Sequence, residues 1–286
     1  MLPECFADYY QTRTKQIMEN YNLAINFFDE DGVHDLRVEI KRLRAFFNLI
    51  GSINPKFNPC KRIKSIRFVF KAAGQIRDMH VLQGLVRDWM NKDDLELSEY
   101  YNYLKAKELD ARSTFADSCS DFNEMVLTTN LDKIKKALAS VSLDYIEFKT
   151  EQRLNSLLDE LIFLKEKNDL AEEDYHKIRI LAKETRYTLE VLQQCYVEND
   201  VLTNLNSTLR NLHRPLGLWH DNMVALQCVQ AMLDEHIEQP LYHKRSYTVF
   251  MKFLEQDKNS YLQTFKDRWQ SFLPDYKLNR QLREDR

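Results

Sequence analysis

The pattern H-x-x-R-x-x-x-K-x-x-R stands at His34, Arg37, Lys41 and Arg44 and returns 142 residues later at His176, Arg179, Lys183 and Arg186. A second pattern, G-x-x-[RH]-D, follows each copy at nearly the same spacing, first as Gly74, Arg77 and Asp78, then as Gly217, His220 and Asp221. The basic residues ahead of each glycine correspond as well, Arg67 with Arg210 and Lys71 with Arg214. Self-similarity over so long a period means one structural unit built twice, each copy carrying the same faces to bury. The sequence therefore predicts a single domain over 1–286 made of two repeats, about 1–120 and 130–286. The Ser-, Asp-, Thr- and Asn-rich stretch from Ser118 to Asn130 would link them.

The repeated unit must be helical. Five Gly and six Pro in 286 residues cannot supply the tight turns of a barrel or sandwich. Apolar periodicity places helices at roughly 4–28, 31–50, 56–73, 75–91, 94–118, 131–140, 143–167, 172–196, 201–214, 217–237 and 244–272, an all-α duplicated bundle. The glycine shortage also excludes the G-x-G-x-x-G and G-x-x-x-x-G-K-[ST] loops that cradle nucleotide phosphates. The acidic start and the lack of a long apolar run predict a cytoplasmic chain with no membrane contact. Five cysteines, an odd number with no C-x-x-C pair, are expected to be reduced and mostly packed.

Charge is segregated along the chain despite a formal net charge of −3. From His34 to Asp78 there are 11 Lys or Arg against 3 acidic residues, whereas 91–174 carries 11 basic against 20 acidic. On a helix at 100° per residue, His34, Arg37, Lys41 and Arg44 fall on one stripe about 80° wide. Val33, Leu36, Ile40, Leu43, Phe47 and Ile50 form an apolar seam beside it. The second copy repeats the geometry, with Tyr175, Ile178, Ala182, Thr185, Leu189 and Leu192 as its seam. Lys61, Lys64, Arg67 and Lys71 make a third stripe. Cations that border a core, instead of lying opposite it, predict a groove between helices that takes an external anion. Phosphate is the natural ligand class, because Arg offers it paired donors and Lys a point charge.

Together these residues resemble the CHAD domain family, the conserved histidine α-helical domains. Val33 to Arg44 resembles the family's opening signature. Tyr175 to Arg179, with Lys183, Arg186, Tyr187 and Glu190, resembles the signature of its second half. The resemblance implies two helical bundles related by pseudo-two-fold symmetry around a basic groove that binds inorganic polyphosphate without catalysis or cofactor. It also implies an association with polyphosphate granules. Carried over residue by residue, the binding role falls on His34, Arg37, Lys41, Arg44, His176, Arg179, Lys183 and Arg186, with Lys64, Arg67, Lys71, Arg77, Arg210 and Arg214 as secondary candidates. Glu184 stands where a further cation is usual, Thr185 replaces a large apolar residue and Ser207 sits opposite Lys64, so weaker binding is expected of the second half.

Two other readings compete. Nucleic acid, or another phosphorylated ligand, would use the same cations. A single strand, however, needs aromatic stacking platforms, and Phe46, Phe47, Phe68 and Phe70 fall mainly at apolar or covered positions. A di-iron carboxylate bundle is suggested by E-x-x-H at Glu173 and His176 and by Asp31 with His34. Each of these histidines is followed on its stripe by two arginines and a lysine, which repel a metal cation.

Overall fold

Apolar residues recur at helical spacing in every segment of the chain, and the computed structural model is accordingly all-α. It describes residues 2–93, 95–120, 122–195, 200–235 and 244–272. Among the described residues lie nine helices and no strand. They are α1 (Leu2–Phe27), α2 (Glu30–Ile53), α3 (Pro59–Asp93), α4 (Ser98–Ser120), α5 (Met125–Ala139), α6 (Leu143–Lys165), α7 (Glu172–Cys195), α8 (Asp200–Glu235) and α9 (Lys244–Ser271). The expected helix ends at 94, 196 and 236–237 fall outside the described residues.

Two expected breaks are absent. The helices anticipated at 56–73 and 75–91 form one helix, α3, which runs straight through Gly74. Ala72, Ala73 and Ile76 are buried on either side of that glycine, and their packing outweighs its weak helix propensity. Helices anticipated at 201–214 and 217–237 likewise merge into α8, which contains Pro215. Proline has no N–H for the carbonyl four residues earlier. That carbonyl, of Asn211, instead accepts from Arg268 Nη1 of α9 at 2.6 Å, so the orphaned group is satisfied and the helix continues.

The polar stretch before 131 is mostly helix as well. Helix α5 begins at Met125, whose N–H donates to Asn123 Oδ1 at 2.9 Å. Asn130 is buried, donating to the Arg62 carbonyl, so this asparagine serves packing between α3 and α5 and not a link. The cysteines also depart from expectation. Cys5 and Cys195 form a disulfide between α1 and the end of α7, while Cys60, Cys119 and Cys228 are free. A pairing across 190 residues depends on tertiary packing, which spacing does not reveal.

Three apolar cores hold the helices. In one, Phe6, Tyr9 and Tyr10 of α1 pack on Phe46 and Phe47 of α2, together with Ile66, Val69 and Ile76 of α3. In another, Leu154, Leu157 and Leu161 of α6 pack with Ile178 and Leu189 of α7, Leu209 and Trp219 of α8, and Phe265 of α9. The third joins Leu82 and Val86 of α3, Tyr100 of α4, Val229 of α8 and Phe250 of α9. The long helices α3 and α8 thus each pass from one core into the shared third one. Asp78 lies between Ile76 and Leu82, and Asp221 between Trp219 and Ala225, at those crossing points. Helices α2 and α7, which carry the two basic stripes, pack against each other. Every residue of both expected seams is buried.

Candidate anion-binding site

The stripe helices are set by their first turns. Asp29 caps α2 by accepting from the Gly32 N–H at 2.7 Å, and Glu30 and Asp31 follow where the helix dipole favours acids. Glu172, Glu173 and Asp174 occupy the same place on α7. Asp31 and Glu173, the carboxylates of the metal reading, are exposed on these first turns. Among the described residues no group of three His, Cys, Asp or Glu is placed to hold a metal ion.

Where α2, α3, α7 and α8 meet there is a cavity of about 490 Å³. Arg37, Lys41 and Arg44 line it from α2, and His176, Arg179, Lys183, Glu184 and Tyr187 from α7. Phe70 and Asp78 enter from α3, His220 and Asp221 from α8. Six of the eight stripe positions thus converge on one space. The other two do not. His34 is exposed with Nδ1 2.9 Å from Asp35 Oδ1, and Arg186 is buried in a network with Glu190 Oε1 (3.2 Å), Asn206 Oδ1 (3.2 Å) and His213 Nε2 (3.4 Å).

Glu190 also accepts from Arg42 Nε at 2.7 Å, and Arg42 reaches Glu39, which in turn holds Arg13. This chain of ion pairs ties α1, α2 and α7 together beneath the cavity. Arg67 and Lys71 line a neighbouring cleft of about 360 Å³. Lys64, Arg210 and Arg214 are exposed and line neither space, and Arg77 donates to Glu30 Oε1 at 2.9 Å. A larger depression of about 770 Å³ along α6, lined by Glu151, Asp159 and Glu160 among others, contains none of the stripe cations.

Arg37 is seated on α3. Its Nη1 donates to the Phe70 carbonyl at 2.9 Å and its guanidinium lies 4.6 Å over the Phe70 ring. A Cβ on Gly74 would collide with that Nη1, so only glycine leaves room for the arginine as it is placed. Gly217, its counterpart, would meet nothing within 4 Å. Arg179 has no such seat. Its buried Nε has no hydrogen-bond partner among the described residues, nor has the buried Nδ1 of His220, whose ring lies 5.8 Å from that of His176.

Desolvation by the walls shapes the charges of the inner lysines, arginines and aspartates. Burial, with Arg179 and Lys41 nearby, lowers the Lys183 pKa to about 7; burial, with Arg37 and Arg179 nearby, lowers that of Lys41 to about 8. Arg37 and Arg179 shift down for the same first reason. Burial raises the pKa values of Asp78 and Asp221 despite the surrounding cations. His220, desolvated and beside Arg179, is lowered to about 4 and carries no charge near neutrality. Such a site is short of compensating negative charge, the condition in which an anionic ligand gains most.

The sequence reading did not assign Phe70, Tyr187, Asp78, His220 or Asp221 a place in the binding set. The recurrence of G-x-x-[RH]-D was the available signal for the last three.

The CHAD domain family model matches residues 9–230. The crystal structure of the CHAD domain from the plant Ricinus communis is similar in fold, with a TM-score of 0.75 at 19% identity over 96% of this chain and 93% of that one. PptA from Streptomyces chartreusis is similar with a TM-score of 0.66 at 13% identity, over 94% of this chain and 99% of that one. No curated protein matches the chain. No helix among the described residues is long and apolar enough to cross a membrane.

Proposed function

The chain belongs to the CHAD domain family, and from that premise we propose that its central cavity binds inorganic polyphosphate as a non-catalytic module. The observation that carries this reading is the convergence of Arg37, Lys41, Arg179 and Lys183, two from each copy of the repeated pattern, on one desolvated space. There, Arg179 Nε is left without a partner among the described residues. A phosphate chain supplies dense negative charge and oxygen acceptors on every side, which answers both the excess of cations and the unpaired donor. The duplication gives the reading its logic, since two copies of one stripe facing a common space can grip a polymer that is itself a repeat.

Single-stranded nucleic acid is less well served. The phenyl and phenol rings on the cavity wall already carry cations: Phe70 lies under Arg37, and Tyr187 is buried with Arg42 and Arg186 at 5.9 and 5.8 Å from its ring. A base would compete with these cations for the rings. Cytoplasmic residence and attachment to polyphosphate granules belong to the same proposal, and rest on the family resemblance.

A competition titration tests it. Long-chain polyphosphate should displace a labelled polyphosphate probe far better than orthophosphate or single-stranded DNA at one fixed salt concentration. The affinity should fall steeply with ionic strength as counterions compete. A flat salt response, or equal displacement by DNA, would overturn the reading.

A further inference from the structure

We propose that a phosphate polymer held in the central cavity leaves it on one side only, along the cleft between α2 and α3, over Arg44, Arg67 and Lys71. The inference rests on the polyphosphate reading and adds the direction in which the polymer runs.

The cavity and the cleft adjoin, because Lys41, Arg44, Asn48 and Phe70 line both. Among the described residues, four cations, Lys41, Arg44, Arg67 and Lys71, and no carboxylate stand along the cleft wall. Its buried apolar residues, Ile40 and Phe47, keep the local dielectric low and so strengthen the attraction between these cations and a passing phosphate. Arg44, Arg67 and Lys71 are all exposed and thus accessible to a ligand arriving from outside.

The equivalent cations of the second repeat are disposed differently. Arg186, the counterpart of Arg44, is buried and held by Glu190, Asn206 and His213. Glu184 adds a carboxylate to the cavity wall from α7, where it accepts from Asn48 Nδ2 at 2.9 Å and pairs with Arg153. Arg210 and Arg214, the counterparts of Arg67 and Lys71, are exposed but line neither space. A polyanion that enters between α2 and α7 therefore meets exposed cations on one side and a sequestered arginine on the other.

Two measurements test the direction. In titrations with long-chain polyphosphate, Arg67→Ala with Lys71→Ala should weaken binding about tenfold, the loss of two exposed charge contacts acting together. Arg210→Ala with Arg214→Ala should cost much less. Equal losses, or none from the first pair, would overturn the inference. The second measurement uses the unmodified protein. Cys60 is the exposed free cysteine and lines the cleft but not the cavity. Saturating long-chain polyphosphate should slow its alkylation several-fold, read site by site by mass spectrometry, and an unchanged rate at saturation would also overturn the one-sided path. If the unmodified chain binds no polyphosphate at all, the functional proposal fails and this inference falls with it. Binding that is indifferent to the cleft overturns the inference alone.

Discussion

Helices α2 and α7 carry the same charged spacing and the same buried seam, yet their cations live differently. On α2, Arg37 is docked on the Phe70 carbonyl and ring, while Arg44 is exposed. On α7, Arg179 keeps an unpartnered Nε and Arg186 is sealed into an ion-pair network. Spacing decides which face of a helix a residue occupies; the neighbouring helices decide whether its charge is spent or available. The first stripe is braced within and open at its end, and the second is open within and closed at its end. The two copies of one motif therefore complement each other across the cavity.

The largest test of that difference removes each half's inner cations. Arg37→Ala with Lys41→Ala, and Arg179→Ala with Lys183→Ala, should each weaken polyphosphate binding on the order of 100-fold, at 1–2 kcal/mol for each charged contact. Circular dichroism should show both variants folded, since removing clustered like charge relieves repulsion. Taken singly, Arg179→Ala should cost more affinity than Arg37→Ala, because Arg37 already donates to Phe70. The reverse order would mean that docking does not spend the arginine. Unfolding of both double variants would make the stripes internal scaffolding.

The outer cations should separate by stability. Arg186→Ala strips Glu190 of one of its two arginine partners in a buried setting and should cost about 2 kcal/mol in urea unfolding. Arg44→Ala, at an exposed position, should stay within about 0.5 kcal/mol. Equal costs would erase the distinction between an open and a closed end.

A smaller, several-fold effect follows from pH. Lys183 and Lys41 have folded pKa values of about 7 and about 8, against 10.5 when unfolded. Their charge is present below that window and lost as pH rises through it, so polyphosphate affinity should decline between pH 7 and 9. Stability of the free protein should move the other way. Between about 7 and 10.5 the unfolded lysines bind more protons than the folded ones, so stability contributed by these groups rises with pH. Lys183→Met should flatten both profiles; an unaltered affinity profile in that variant would remove Lys183 from the ligand.

How much of this was legible beforehand follows the range of the interactions. The all-α class, both seams and the convergence of Arg37, Lys41, Arg179 and Lys183 depend on period and sign, which a sequence displays. The continuity of α3 and α8 does not, because Gly74 and Pro215 are tolerated only through Ile76 packing and the Arg268 donor to Asn211. Arg186 reads as a ligand on its own helix and becomes structural only beside Glu190 and Asn206. The Cys5–Cys195 disulfide, joining α1 to α7, is invisible for the same reason.

The smallest effect is carried by the paired glycines. Inside a helix, Ala exceeds Gly by about 0.5–1 kcal/mol. At Gly217 a new Cβ meets nothing within 4 Å, so Gly217→Ala should raise stability by about that amount. At Gly74 the same methyl collides with the Arg37 guanidinium. The arginine can swing away, but it then loses the Phe70 carbonyl and ring, and that loss offsets the helix-propensity gain. Gly74→Ala should therefore show no gain in thermal unfolding, and it should alter polyphosphate affinity by freeing the donor that Arg37 now commits to α3. Equal stabilisation at both glycines would show that the Arg37 seat contributes nothing to the fold.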